Sequence, residues 1–553
     1  MAIIARPVFA VREVVESLSS AAVVGTKQDR GWEPFAAYLS TNPYVPSEAM
    51  GASLEYEGPS DPASRRDDNA SDAANALGNA VTLGFSLSST LLIGFAVLLI
   101  VPRWLGPERW GAVRGAEATM SLLLSFIAFG FDTYIRKEVA VRPDHAREFL
   151  PSVIVFRLIT STLAVAVALA VLTGLGKPRL ELALALLFGI SRFLIQTGEL
   201  FSACLHAVGA VSGIRRVTLP TKVLWAALVL GGIRAGIGPI AVPAGWVVAE
   251  GIKTVAFGVL ARHSLRLRAR PTEGAFAPVL RASIPYSAGI IVAGGAMFLD
   301  VTIMRFLVGK TEVGYYGVSQ NLASLAFAVG PLIPWVLMPL ASRAATRSTR
   351  ELYALARRAF EFAIVFGIPS AVLLALNADV VVRLQGEQFR PSVASLRLLA
   401  LVLGLTYFIT MASVFLQALG RAWVGVRVAL MGVVLNAALN LAFQRSGIEW
   451  FGPGGAGVVA GFAAAANEVV VVGAMLVLLG RRAWDDGTVA TLVRVLAASI
   501  PVVLVDRILS NYGFSWLRLV ADVCVYAVNL VLLKAFDVDA VRAQITSYRS
   551  KGH

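Results

Sequence analysis

Cysteine, histidine and charge are all scarce in this chain, and each scarcity removes a class of function. Two cysteines, Cys204 and Cys524, both lie inside apolar runs and exclude a disulfide framework. Four histidines without ligand spacing leave no zinc motif, so no metal site is expected. Phosphate-loop, zincin and Gly-x-Ser-x-Gly patterns are missing, so the usual nucleotide-binding and hydrolase motifs are absent. Charged residues make up only 15% of 553, well below the quarter that soluble domains carry.

What the chain has instead is apolar length. Hydrophobic residues reach 57% and mean hydropathy +0.72, which describes an all-α, polytopic membrane protein. Runs long enough to cross a bilayer fall at roughly 78–101, 116–135, 150–174, 180–206, 214–236 and 240–261. A basic connector, ARHSLRLRARPTEG, leads to a second six, at roughly 284–308, 316–340, 358–378, 393–419, 422–443 and 454–480. Two more, at roughly 488–508 and 514–535, bring the expected total to about 14 transmembrane helices. The implied organisation is an irregular tail (1–75), two six-helix segments (76–270 and 271–483), two added helices (484–536) and a short tail (537–553).

The formal charge of +14 belongs to this membrane setting. Basic residues there collect in cytoplasmic loops and meet lipid head groups, so no nucleic-acid partner is expected. Lysine and arginine crowd the loops after even-numbered spans, about twofold over the opposite loops, which puts both termini in the cytoplasm. Residues 1–75 hold six basic against eleven acidic residues and lack helix or strand periodicity, and nothing in them reads as a signal peptide. Asp537-Val538-Asp539 has the Asp-x-Asp form used by sugar-nucleotide transferases, but without a nucleotide-binding domain around it the pair reads as a solvated tail.

Two internal repeats indicate duplication. WLGPERWGAV closes one span and opens the next with Gly106, Glu108, Trp110 and Gly111; about 200 residues later Gly309, Glu312 and Gly314 do the same after the seventh span. LHAVGAVSGIRRVTL from Leu205 aligns without a gap on LQALGRAWVGVRVAL from Leu416, matching Gly209 with Gly420 and Arg216 with Arg427.

These stretches, together with FLDVTIMRFLVGKTEVGYYGVSQNLA and GPGGAGVVAGFAAAANEVVVV, resemble the polysaccharide transporter (oligosaccharide flippase) family of the multidrug/oligosaccharidyl-lipid/polysaccharide flippase superfamily. The resemblance runs from about Asn75 to Arg482. It implies two six-helix bundles related by a pseudo-twofold along the membrane normal, with no enzymatic chemistry. It further implies transport of a lipid-diphosphate-linked glycan across the cytoplasmic (inner) membrane, with membrane lipids and glycan assembly proteins as partners. A multidrug or cation antiporter and a peptidoglycan lipid-precursor flippase of the same superfamily are the alternatives. A membrane glycosyltransferase would need a long loop or soluble domain that this chain lacks.

A flippase needs cations for phosphate and hydrogen-bonding groups for sugar inside its spans. Arg192, Gln196, Glu199 and His206 recur at helical spacing and form either a polar stripe facing a cavity or an Arg192–Glu199 pair that docks helices. Arg157 reaches either phosphate or the near interface. Asp300 and Arg305, five apart, lie on opposite sides of their helix, so Asp300 is placed in the cavity and Arg305 is expected to snorkel outward. Gln417, Asn436 and Asn440 suit sugar hydroxyls or helix–helix hydrogen bonds. Glu250 with Lys253, and Glu468 near Asn467, form a second rank as an ion pair or coupling groups. No cofactor is expected; coupling to protons or to sodium is left open by the sequence.

Overall fold

The structure, a computed structural model, describes residues 62–265, 274, 276–327, 330, 332–511, 515–533 and 535. The Asp537–Asp539 motif, most of the basic connector and residues 1–61 lie outside the described residues. The chain divides into two units: Met1–Leu87, whose described part is the start of the first helix, and Ser88–His553, which holds all the packing below.

Seventeen α-helices and no strand occur among the described residues. The first, α1 (Pro62–Phe126), begins ahead of the boundary expected near 75. Proline is favoured at a first helical position, and no Gly or Pro follows until Gly78, so helix extends back into a segment that reads as irregular. It is bent in two at Gly106 (φ 79°). There follow α2 (Phe131–Val141), α3 (Ala146–Gly174), α4 (Arg179–Ala207), α5 (Val211–Arg234), α6 (Ala241–Leu265), α7 (Phe276–Leu307), α8 (Lys310–Ala326) and α9 (Leu332–Arg347). Next come α10 (Thr349–Phe362), α11 (Ile368–Leu376), α12 (Ala378–Arg383), α13 (Ser392–Ala418), α14 (Ala422–Phe451), α15 (Gly455–Leu479), α16 (Asp486–Asn511) and α17 (Ser515–Leu532).

By length and composition, 11 helices among the described residues can cross a membrane, one of them α10 continued through a π-turn into α11. Fourteen passes result when the two limbs of α1 count separately, α8 and α9 make one broken pass, and α17 makes the last. The second pass is broken too, between α1 and α2 at residues 127–130, where Phe129 (φ 51°) and Gly130 (φ 65°) turn left-handed. The break at 127–130 looks continuous in sequence because its residues, Ile127 to Gly130, are apolar. A break inside a membrane requires that protein satisfy the freed backbone groups.

The duplication is visible in the backbone. Gly209 and Gly420 close α4 and α13 with φ of 74° and 73°, the left-handed region that favours glycine. The hydrogen bonds match as well: Gly209 N–H donates to His206 O and Ala210 N–H to Leu205 O, as Gly420 N–H does to Gln417 O and Arg421 N–H to Leu416 O. In the first half α6 packs on α4 and α5; in the second α15 packs on α13 and α14. The halves meet where Gly111 faces Gly314. A Cβ on Gly111 would lie 1.7 Å from Lys310 O, and one on Gly314 2.0 Å from Pro107 O. Since 107 precedes 111 by the same four residues as 310 precedes 314, each half presents the same surface to the other, as a pseudo-twofold requires.

That crossing seals the end of the molecule bearing the odd-numbered loops. Gln385 Nε2 donates to Leu98 O and Gln388 Nε2 to Arg103 O, both at 3.0 Å, tying the loop after α12 to α1. One hydrophobic core runs through this end, joining Val101, Trp110 and Phe188 of the first half to Val318, Phe389 and Leu396 of the second. At the opposite end the start of α7 crosses to the first half, with the Phe276 ring 4.9 Å from that of Phe156.

Candidate functional site

Between the halves, four helices bring charge together. Glu117 follows Arg114 by three residues on the second limb of α1, and the two pair at 2.6 Å. The other Glu117 oxygen lies 3.2 Å from Arg192 Nη2 of α4. Arg114 also donates to Gln320 Oε1 of α8 at 2.9 Å, and Gln320 donates to Met297 O of α7 at 3.0 Å. The Arg192 guanidinium sits over the Phe298 ring, 5.5 Å from its centre. Arg192 and Glu117 keep 25% and 20% of their side-chain surface accessible. Two guanidiniums share one carboxylate, so the cluster carries a net positive charge and spare donors.

Of the other residues singled out in sequence, several do different work. Glu199 does not pair with Arg192; it is exposed, and its electrostatic neighbours are Asp132, Lys253, Arg157 and Arg136. Arg157 neither reaches a cavity nor snorkels. It is fully buried and donates to Ala128 O (3.1 Å) at the break in the second pass and to Gln196 O, with Asp132 Oδ1 at 3.8 Å. It thereby satisfies a carbonyl that the break frees. Gln196 supports the same pass, donating to Leu124 O at 3.1 Å. Arg305 does not snorkel either: buried, it holds Glu181 Oε2 at 3.3 Å and donates to Gly115 O and Thr119 Oγ1. Lys310 takes the other Glu181 oxygen at 2.9 Å, so an ion-pair triad spans the halves at the sealed end. Gln417 ends α13 exposed, away from these groups, its carbonyl used in the Gly420 turn.

The second half holds a distinct polar knot. Asp300 is buried, accepting from Tyr316 Oη at 2.9 Å and from Asn440 Nδ2 at 3.3 Å, with Asn436 beside it. Asn440 also donates to Asn436 Oδ1 at 3.1 Å. The Asp300 carboxylate thus has neutral partners only among the described hydrogen bonds. Glu312, on the first turn of α8, accepts from Gly454 N–H (2.8 Å) and Ala456 N–H (3.2 Å) and so caps α15 from another helix. Glu250 and Lys253 pair at 2.5 Å along α6, as their spacing suggests, and Glu468 Oε2 on α15 has no hydrogen-bond partner among the described residues.

A family described as polysaccharide biosynthesis protein matches residues 100–394, more than half of the chain. The chain belongs to that family. No curated relative matches it by sequence. Among solved structures, the lipid II flippase MurJ in an inward closed conformation superposes with a TM-score of 0.61 at 13% identity, covering 82% of this chain and 98% of the other. An inward-facing multidrug resistance MATE family transporter of the MOP superfamily gives 0.56 at 16% identity, covering 71% and 94%. This polysaccharide biosynthesis family member therefore shares the fold of those two proteins. Reading the sequence alone misses Arg114, Glu117, Glu181 and Gln320. The signal that exposes Arg114 is the register Gly111 to Gly314, which sets its side chain against Gly317 on the facing helix.

Proposed function

We propose that this polysaccharide biosynthesis family member moves a lipid-diphosphate-linked glycan precursor across the cytoplasmic membrane by alternating access. The observation that carries this reading is the Arg114–Glu117–Arg192 cluster at the junction of both halves, with its surplus positive charge and with Arg192 and Glu117 left partly accessible while Arg114 is buried. Charges inside spans face protein or a hydrated space, and a guanidinium fork suits diphosphate. Under the lysine and arginine bias the end where Gly111 meets Gly314 is the outer one and both termini are cytoplasmic, with the Glu181–Arg305–Lys310 triad as the outer latch. Gln320 supplies a hydrogen-bonding group beside the cluster, and proteins that build and polymerise the glycan are its partners. The chain performs no covalent chemistry in this scheme.

Asp300, the buried carboxylate with neutral partners, is the coupling group, taking a proton or sodium as the halves rock. In proteoliposomes, Arg192→Ala is expected to slow movement of a lipid-diphosphate-linked sugar at least tenfold. Asp300→Asn is expected to leave binding within about twofold and to abolish the response to an imposed ion gradient. Unchanged movement by inserted, folded Arg192→Ala protein would remove the phosphate assignment. The exposed Glu199 favours the drug or cation antiporter as the second reading, which export of a cationic dye lost in Glu199→Gln would support.

A further inference from the structure

The two added helices build a second charged site, apart from the Arg114–Glu117–Arg192 cluster. A cleft of about 750 Å³ opens between α12, the start of α13, the end of α16 and the start of α17. Its back wall is fixed. Arg518 of α17 is buried and held by Asp379, by Asp506 Oδ1 at 2.9 Å and by Leu376 O at 3.2 Å. Behind it Asn377 Nδ2 donates to the fully buried Asp522 at 2.8 Å. In front, Arg390, Arg397 and Arg507 are exposed, and among the described residues none of the three forms an ion pair. The three carboxylates of the cleft are engaged elsewhere, Asp379 and Asp506 by Arg518 and Glu387 by Arg383 at 3.5 Å. Cationic capacity is thus left facing the opening.

The position of the cleft selects its ligand. Arg397 lies about 7 Å inside the start of α13 and Arg507 about 6 Å inside the end of α16, at 1.5 Å per residue, which is head-group depth in a bilayer. Val503 lines the cleft, and Leu504, Ile508, Trp516 and Leu517 beside it expose apolar surface on α16 and α17. Three guanidiniums above an aliphatic, aromatic-edged wall match a phosphate group attached to acyl or prenyl chains. We propose that this cleft binds the phosphate head group of a membrane lipid. The proposal does not depend on what the central cluster transports.

The test uses the full-length protein in nanodiscs of phosphatidylcholine doped with phosphatidylglycerol, with lipid retention read by native mass spectrometry. Wild type should keep phosphatidylglycerol at least fivefold better than Arg397→Gln/Arg507→Gln, and Arg507→Gln alone, a single surface change, should fall between them. Arg179→Gln/Arg445→Gln, removing the same charge from exposed positions at the same end, should match wild type. Retention that survives millimolar glycerol phosphate supports the lipid; full displacement by it overturns the lipid assignment. Equal retention by wild type and the cleft variants, or an equal loss in the charge-matched control, overturns the proposal.

Discussion

The two halves share a backbone plan and differ in what they place inside it. In the first, the buried and half-buried polar groups are mostly hydroxyls and ionic groups, among the latter Arg157 with Asp132, Glu250 with Lys253, and Lys222 with its ammonium 4.0 Å from the Trp225 ring centre. In the second, they are mostly amides and hydroxyls, Asn436, Asn440, Gln444 and Tyr316, around Asp300. Duplication therefore preserved the turns and crossings that set helix positions while the inward-facing side chains diverged.

The largest break of this comparison comes from the charged half. Arg157→Met leaves Asp132 without its closest cation and Ala128 O without its donor, and is expected to destabilise the protein by about 3–5 kcal/mol in thermal unfolding. A loss under about 1 kcal/mol would show that the break in the second pass does not rely on it. Next come Gly111→Ala and Gly314→Ala, each driving a methyl into opposing backbone at a cost of about 1–3 kcal/mol or more. Because the contact is reciprocal, the two losses should agree, and a neutral result in one alone would deny the twofold crossing. Smallest, Gly209→Ala and Gly420→Ala should each cost about 1 kcal/mol, the strain of a left-handed residue with a Cβ. Unequal values there would mean that the matched turns carry different loads.

The turns were legible from residues because left-handed closure needs glycine, so Gly209 and Gly420 keep their mark through duplication. The apolar runs were legible too, and among the described residues 11 of the resulting helices are long and apolar enough to cross a membrane. The partnerships of the central cluster were not. Glu117 and Arg192 lie 75 residues apart, and Glu181 and Arg305 124, so their meeting depends on helix rotation and packing that spacing along one chain does not encode. Arg114 hid because Gly106–Gly115, rich in glycine and charge, reads as a loop although it forms the start of a membrane-crossing limb. Arg305 misled for the opposite reason: near a helix end an arginine normally reaches out to the interface, and here a carboxylate from the other half draws it inward.

The central claim is that Arg192 serves the cargo and not only Glu117. Arg192→Gln leaves Glu117 its 2.6 Å pair with Arg114, so removing an Arg192 that only docks helices should cost little transport, whereas removing a ligand for phosphate should cost much. Translocation of a lipid-diphosphate-linked sugar by Arg192→Gln in proteoliposomes, set beside its thermal unfolding, separates the two. A variant as stable as wild type that moves the lipid at least tenfold more slowly is the expected result; one that moves it at the wild-type rate would contradict the account.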